Sequence, residues 1–307
     1  MTATQANDAR DRDQLTRFMI EAAGVRGVRV HLDDTWRRIR ATDDYPEAAA
    51  SLLGEAAAAS ALFTGHAKVD GRLSVQLRGD GPLRTLFAEC TAAGTLRGIA
   101  RLDPEAGQVT RDLRGLGDDA MLAITIENAA VGTREPMRYQ GLVALESDSL
   151  SGVFEGYFRQ SEQLPTRVLL ACDADRAAGL MLQKLPGDAG DEDGWTRACA
   201  LFDTLSEREL LEWSGDELLH RLFHEDGVQL LGNRPLSFAC SCSLERVESV
   251  LVSIGRDEAM GAAEATGIAQ IRCEFCGQQY EVSRERIDAM LTTHAQQVPA
   301  PAPDTLQ

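Results

Sequence analysis

Four cysteines near the C-terminus form two close pairs, Cys240-Ser241-Cys242 and Cys273-Glu274-Phe275-Cys276, with thirty residues between them. Four thiolates in two close pairs can complete the tetrahedral shell of a structural zinc ion. Thiols are also the side chains most open to oxidation. The array therefore constrains the C-terminal part of the chain to fold around a metal, around a redox-active set of thiols, or around both.

Composition indicates a globular protein of the reducing cytosol. The 307 residues give room for two domains, and the hydrophobic content of 44% is ordinary. We find no uninterrupted apolar run of the roughly 18 residues that a membrane span needs. Residues 1–13 are polar and lack the apolar stretch of a signal peptide. We therefore expect a cytoplasmic protein, where cysteine pairs bind metals or act in redox chemistry more often than they form permanent disulfides.

The net charge of −17 limits the classes of partner. Nucleic-acid binding needs clustered positive charge to contact phosphates, and so does adhesion to an anionic membrane. We expect neither nucleic acid nor membrane as a partner. Gly-rich phosphate loops, Gly-x-Ser-x-Gly elbows and an evident Ser/His/Asp set are missing from the sequence. The chain is therefore not expected to be an enzyme.

The chain up to Pro186 predicts a mixed α/β domain with a β-sheet core, so the fold class is α+β. Alternating apolar residues such as Leu73, Val75 and Leu77 indicate strands with one buried face. Pro46 opens a long Ala- and Leu-rich helix. Strands are expected at Arg17–Glu21, Val25–Leu32, Leu83–Cys90, Thr95–Leu102, Met121–Asn128, Tyr139–Ala144, Arg167–Cys172 and Gly179–Leu185, and helices at Trp36–Ile39, Glu47–Phe63 and Leu150–Arg159.

Helical periodicity replaces this pattern after an acidic turn at residues 187–194. Three short amphipathic helices are expected, at Trp195–Leu205, Glu207–Trp213 and Asp216–His224, with Ser206 and Ser214 as caps. Residues 187–237, which we call the linker segment, hold 12 acidic and 4 basic residues, a net charge of −8. Helices this short are marginal alone and need a surface on which to dock.

The cysteine module begins at Phe238. A helix is expected at Leu244–Val252, a turn or helix at Gly255–Met260, a hairpin from Ile268–Arg272 to Tyr280–Val282, and a last helix from Ser283 to about His294. The arrangement predicts four segments: an N-terminal domain over 1–186, a metastable helical linker over 187–237, a zinc-binding domain over 238–297 and a disordered tail over 298–307.

The two cysteine pairs differ in what their spacing allows. Cys273 and Cys276 can share a metal across a tight turn, and Gly277 tolerates the left-handed backbone that such a turn often needs. Cys240 and Cys242 would face the same side of an ideal strand. A disulfide between them would close a small, strained ring that is easily reduced.

Spacing alone leaves several interpretations of the array, and it favours a permanent zinc staple. A thioredoxin-type Cys-x-x-Cys motif belongs at a helix start after a strand, whereas turn and strand residues follow Cys276. A nucleic-acid zinc ribbon is disfavoured because residues 238–297 carry 9 acidic and 5 basic residues. The isolated Cys90, Cys172 and Cys199 are expected to be buried as small hydrophobic residues.

His220 and His224 have the spacing of a helical metal pair. No third ligand lies nearby in the sequence, so an amphipathic helix face is the preferred interpretation.

The array, together with Tyr157–Thr166 (Tyr-Phe-Arg-Gln-Ser-Glu-Gln-Leu-Pro-Thr), resembles heat-shock protein 33, a family of redox-regulated holdase chaperones. Gly179–Gln183 and Leu218–Glu225 also match the pattern of that family. The resemblance extends over nearly the whole chain, and all four expected zinc ligands are present. The role of Ser161, Glu162 and Gln163 stays open, with a structural turn preferred.

The resemblance implies that Cys240, Cys242, Cys273 and Cys276 bind a single zinc ion when reduced. On oxidation they would release it and form the disulfides Cys240–Cys242 and Cys273–Cys276. The zinc domain and the linker segment would then unfold, and the exposed surface would bind unfolding client proteins without ATP. The chain would be a monomer when reduced and a homodimer when oxidised. The alternatives are a thiol–disulfide oxidoreductase that uses Cys273 and Cys276, or a static zinc module.

Overall fold

The computed structural model describes residues 12–117, 119–129, 136–187 and 189–297. It divides into two compact units, the first ending at Ala239 and the second beginning at Cys240. Helices and sheets mix in the first unit, so the predicted α+β fold class is confirmed. The tail predicted for residues 298–307 lies outside the described residues.

The first unit is built mainly from two sheets. Its strands are β1 Gln14–Ile20, β2 Val25–Leu32, β3 Arg72–Arg78, β4 Leu83–Thr91, β5 Thr95–Leu102, β6 Met121–Asn128, β7 Met137–Ala144, β8 Thr166–Cys172, β9 Ala177–Lys184, β10 Gln229–Pro235 and β11 Ser237–Phe238. Its helices are α1 Asp34–Arg40, α2 Glu47–His66, α3 Leu150–Ser161, α4 Gly194–Phe202, α5 Glu207–Glu212 and α6 Gly215–Phe223, with short 3₁₀ turns at Pro104–Ala106 and Leu113–Gly115.

The strand order is β10-β1-β2-β9-β8 in one sheet and β11-β5-β4-β3-β6-β7 in the other. Every pairing is antiparallel except that of β11 with β5. Leu73, Val75 and Leu77 of β3 are buried as their alternation predicts, and their polar neighbours are less buried. The expected strands and the long helix are thus confirmed within one to three residues at most ends.

Helix α2 contacts strands of both sheets and forms the centre of the main core. Its alanines have no bulky side chains, so both sheets can approach it closely, and it is buried nearly all round. By length and composition this helix could cross a membrane. The search for uninterrupted apolar runs in the sequence did not identify it. However, 83% of its most apolar window is buried inside the protein, as in the core helix of a globular domain.

Glu55 is a carboxylate on α2 that is only 4% exposed. Burial raises its pKa to about 7, although the guanidinium of Arg111 contacts it and opposes that shift. Arg111 also lies 3.9 Å from Glu207 at the start of α5. Between the unfolded value near 4.5 and the folded value near 7, Glu55 is more protonated in the folded chain than in the unfolded chain. The contribution of Glu55 to stability must therefore fall as the pH rises through this range.

We expect this loss of stability with rising pH to be visible when wild type and Glu55→Gln are compared by urea unfolding at pH 5 and pH 8. The glutamine cannot ionise, so between these pH values wild type should lose about 2 kcal/mol more unfolding free energy than the variant. Equal pH dependence in the two proteins would mean that folding does not raise the pKa of Glu55.

The linker segment packs on the sheet that contains β1 and β2. A second apolar cluster joins that sheet to α4, α5 and α6, with Phe18 and Ile20 on the sheet side and Leu210, Leu218 and Phe223 on the helix side. Helix α5 begins with a full capping box between Ser206 and Glu209, and the Ser214 hydroxyl caps α6. The caps expected from the sequence are confirmed, and the docking surface of the short helices is this sheet.

Three basic side chains of the first unit hold the end of α5. Arg29 Nη2 donates to the Trp213 carbonyl at 2.9 Å and Arg176 Nη1 to the Leu211 carbonyl at 3.1 Å; His31 Nε2 lies 3.0 Å from that same Leu211 oxygen. The last carbonyls of a helix have no partner within the helix, and cations beside them are stabilising. We call Arg29, His31 and Arg176 the carbonyl clamp.

Strand β10 was not expected from the sequence. Its residues Gln229–Pro235 pair with β1 at the edge of the sheet, and the register shifts between Arg17 and Phe18. The segment contains both Gly232 and Pro235 and lacks alternating polarity, so local pattern gives no strand signal. Pairing with β1 supplies the order that the local sequence does not.

The second unit contains α7 Leu244–Ile254, α8 Arg256–Gly261, the hairpin of β12 Ile268–Arg272 and β13 Gln279–Ser283, and α9 Arg284–Gln297. These are the elements expected from the sequence. Arg286 Nε and Nη2 bond the Glu248 carboxylate at 2.8 and 2.9 Å, which ties α9 to α7. The unit has a small core of eight buried residues: Val247, Leu251, Ala259, Ala263, Ala269, Val282, Ile287 and Leu291.

Candidate metal centre

The structure brings the four predicted ligands together. The sulfur atoms of Cys240, Cys242, Cys273 and Cys276 all lie within 4.8 Å of one another. Cys240 Sγ is 3.7 Å from Cys273 Sγ, and Cys242 Sγ is 3.4 Å from Cys276 Sγ. A tetrahedral zinc site with Zn–S bonds of about 2.3 Å has sulfur atoms about 3.8 Å apart. The donor set therefore fits a thiolate-binding metal ion without a large rearrangement.

Cys273 and Cys276 lie in the turn that joins β12 to β13. The Gly277 amide donates to the Cys273 carbonyl and the Cys273 amide donates to the Gln278 carbonyl, both at 2.8 Å. Gly277 has a φ of +72°, the left-handed backbone expected for it. The five residue pairs of the hairpin hold this turn in a fixed register.

Cys240 and Cys242 lie in a segment without regular secondary structure that leads into α7. The expectation that an ideal strand would align them is therefore wrong. Their placement depends instead on the start of α7, where the Ser243 hydroxyl accepts the Arg246 amide at 3.3 Å. Arg246 Nη1 also donates to the Ser241 hydroxyl at 2.5 Å, which ties the residue between the cysteines to the same helix.

The four thiols are electrostatically unequal. Burial opposes ionisation of Cys242, but hydrogen bonds from the Tyr280 hydroxyl and the neighbouring thiols outweigh it and lower its pKa to about 7. The Tyr280 oxygen lies 3.1 Å from Cys242 Sγ. Partial burial raises the pKa of Cys276 to about 12 and also raises that of Cys240. In the metal-free protein Cys242 therefore ionises more readily than Cys240 or Cys276.

The other three cysteines are separate from this array, and all seven are free thiols. Cys90 is fully buried, and burial raises its pKa to about 12. Burial also raises the pKa of Cys199 to about 11 and that of Cys172 further. Cys90 behaves as the small hydrophobic residue that was expected, whereas Cys172 and Cys199 are only partly buried.

His220 and His224 lie on the exposed side at the end of α6, with ring centroids 5.1 Å apart. Among the described residues, the cysteine array is the one group of three or more His, Cys, Asp or Glu side chains close enough to hold a metal. Leu218, Leu222 and Phe223 on the same helix are buried. The preferred interpretation of an amphipathic helix face is confirmed.

The Ser-Glu-Gln part of the family-like segment forms a structural turn at the end of α3. Gln163 has a left-handed φ of +56°. The Glu162 carboxylate accepts Gln183 Nε2 at 3.3 Å and lies 3.7 Å from His66 Nε2. Arg26 Nε completes the network by donating to Gln183 Oε1 at 3.1 Å. These polar contacts join two strands and two helices inside the first unit.

Comparison with known proteins gives consistent matches over most of the chain. The family described as Hsp33 protein matches residues 13–283. The 33 kDa chaperonin of Nitrosococcus oceani is 39% identical over 295 residues, which are 96% of this chain and 99% of that protein. The 33 kDa chaperonin of Ectopseudomonas mendocina is 42% identical over 270 residues, covering 86% and 90% of the two chains.

A solved structure shares the fold. The crystal structure of the 33 kDa chaperonin (heat shock protein 33 homolog) from Thermotoga maritima superposes with a TM-score of 0.73 at 19% identity. The match covers 92% of this chain and 99% of that one.

Proposed function

The chain belongs to the Hsp33 family, whose curated relatives are 33 kDa chaperonins, and from this premise we propose that it is a zinc-dependent holdase activated by oxidation. The observation that carries the proposal is the convergence of four cysteine sulfurs within 4.8 Å. In the reduced protein Cys240, Cys242, Cys273 and Cys276 would hold one zinc ion. Zinc has no redox chemistry of its own, and when bound it would stabilise the fold around four thiolates.

Oxidation would act on the ligands. Formation of the Cys240–Cys242 and Cys273–Cys276 disulfides removes two electrons from each pair of thiolates. Hydrogen peroxide accepts the two electrons, takes up two protons from the solvent and is reduced to two water molecules, so two peroxide molecules oxidise the array. A disulfide sulfur is a far poorer metal ligand than a thiolate, so each bond formed removes two of the four donors.

The linker segment supplies the apolar surface that a holdase needs. Leu210, Leu218 and Phe223 are buried against β1, β2 and β9 in the docked state. Their helices are short, and 12 of the segment's residues are acidic, so undocking would expose apolar faces on a chain with strong negative charge. Such a chain could contact unfolding clients and stay in solution itself. A dimeric oxidised form, a monomeric reduced form and a cytoplasmic location belong to the same proposal.

The oxidoreductase alternative fits the site less well. A thioredoxin-type pair lies at a helix N-terminus, which lowers the pKa of the attacking thiol. Here Cys273 and Cys276 lie in a hairpin turn, and burial raises the pKa of Cys276 to about 12. Turnover of insulin disulfides would separate the two functions, and the holdase proposal expects almost none.

Serine substitution at the array tests the proposal. Cys273→Ser should lose zinc binding, because the site keeps only three thiolates, and its chaperone activity should no longer depend on peroxide. Cys199→Ser is the matched control, since this thiol lies on α4 of the first unit and is not one of the four clustered thiols, and it should respond to peroxide as wild type does. The readout is light scattering of a denatured client with and without peroxide. A Cys273→Ser protein that still binds zinc and still needs peroxide for activity would contradict the proposal.

A further inference from the structure

The geometry points to Tyr280 as a positioning residue of the metal centre. Its hydroxyl lies 3.1 Å from Cys242 Sγ and donates a hydrogen bond to that sulfur. We propose that this bond holds Cys242 in place as a ligand and shares the negative charge of its thiolate. The inference rests on the proposed function, because it assigns Tyr280 a role at the same site.

The hairpin fixes the position of the tyrosine. Tyr280 lies on β13 and pairs with Ile271 of β12, so the strand that leaves the Cys273–Cys276 turn also carries the donor. Its side chain crosses from this hairpin to a cysteine of the other pair. The contact therefore joins the hairpin that carries Cys273 and Cys276 to Cys242, which lies 38 residues before Tyr280 in the sequence.

Other sulfurs of the array receive hydrogen bonds from the backbone. The Cys242 amide bonds the Cys240 thiol, and the Gln278 amide bonds the Cys276 thiol. Four thiolates around a divalent cation carry a net charge of −2, so donors that point at the sulfurs are stabilising. Cys242 receives such a donor from the Tyr280 side chain. A single substitution can remove this donor, whereas a backbone donor stays.

Loss of the Tyr280 hydroxyl is expected to have two effects, and both make it easier for Cys242 to be lost as a ligand. A thiolate without its donor is less stable as a ligand, and substitutions at such outer contacts typically cost about 10–100-fold in metal affinity. The same sulfur also becomes a stronger nucleophile toward peroxide, because less of its charge is shared. Tyr280 would thus help to set how much oxidant is needed before the ligands are lost.

The test compares reduced wild type with Tyr280→Phe, which keeps the ring and removes only the oxygen. Tyr45→Phe is the control, because its hydroxyl contacts Thr42 and not a thiol. Zinc affinity is measured by competition with a chromogenic chelator, and cobalt(II) replaces zinc for absorption spectroscopy. We expect about 10–100-fold weaker zinc binding and a shift of the sulfur-to-cobalt charge-transfer band to lower energy in Tyr280→Phe only.

The cobalt spectrum separates a direct role from general destabilisation, because a poorly folded variant loses band intensity without a change in band energy. Affinity within twofold of wild type, or an unshifted band, would overturn the inference. A wild-type protein that binds neither metal would instead contradict the proposed function.

Discussion

Removal of zinc from the reduced protein is expected to unfold residues 240–297 and to leave the main core around α2 folded. Among its described residues the second unit buries eight apolar side chains, and three of them are alanines, Ala259, Ala263 and Ala269. Burial of a larger side chain contributes about 1.5–3 kcal/mol, whereas ordering each backbone residue costs about 1–2 kcal/mol. A structural zinc site adds on the order of 10–16 kcal/mol. Without that contribution the small core should not stay folded.

Hydrogen exchange read by mass spectrometry measures this directly. After chelation, the amides of β12, β13 and α7 should exchange at rates near those of an unfolded chain. The amides of α2 should stay protected, because this helix lies at the centre of a separate and larger core. Protection of the hairpin that is unchanged by chelation would show that the second unit folds without metal. Re-addition of zinc under reducing conditions serves as the reversibility control.

Phe223→Ala is expected to produce chaperone activity in the reduced protein. Phe223 is fully buried at the end of α6, and its ring stacks on that of Phe18 with centroids 6.4 Å apart. Truncation of such a side chain to alanine typically costs about 3–5 kcal/mol. That loss shifts the docking equilibrium of the helix by a factor of about 100 to 1,000 or more toward the undocked state. Client-binding surface would then be exposed without oxidation.

The control for this prediction lies on the same helix. Glu217→Ala removes an exposed partner of Arg221, a pair worth only about 0.3–0.5 kcal/mol, and it should leave the reduced protein inactive. Hydrogen exchange of residues 194–223 reports undocking, and client light scattering reports activity. If the helices of Phe223→Ala lose protection but the reduced protein stays inactive, the linker segment is not the surface that binds clients.

Local sequence pattern was sufficient to predict those helices and strands whose polar and apolar residues alone define them. The alternation of Leu73, Val75 and Leu77 identifies β3, and the serines Ser206 and Ser214 identify the starts of α5 and α6. Strand β10 has no such pattern, because pairing with β1 and not local polarity orders it. The sequence predicted that the short helices need a docking surface, but only the fold shows that this surface is the sheet of β1 and β2.

The candidate site was predictable in its ligands and not in its supporting contacts. Cysteine type and spacing identify the four sulfurs, and Gly277 after Cys276 indicates the tight turn. The hydroxyl of Tyr280 reaches across to Cys242, 38 residues away, so no local spacing reveals it. A tyrosine four residues after a Cys-x-x-Cys pair, on the returning strand of a hairpin, is the one signal that could have suggested the contact.

The carbonyl clamp escaped prediction for a similar reason. Arg29 and His31 lie on β2 and Arg176 lies in the turn between β8 and β9, and the three meet at the carbonyls of Leu211 and Trp213. Every residue has a backbone carbonyl, so a sequence does not show which carbonyls act as acceptors. Charged residues that bind them therefore cannot be told from ordinary surface residues by sequence alone. Burial distinguishes Arg29 and His31, which are 1% and 8% exposed, once the fold is known.

The central claim is that loss of the zinc ligands by oxidation and gain of chaperone activity are one event. Reduced, zinc-loaded protein should be titrated with peroxide at elevated temperature, and zinc release and suppression of client aggregation should be measured on the same samples. We expect zinc release and suppression of aggregation to rise together, full activity to coincide with release of about one zinc ion per chain, and reductant with zinc to reverse both. Full zinc release without any suppression of aggregation, or full activity with zinc still bound, would contradict it.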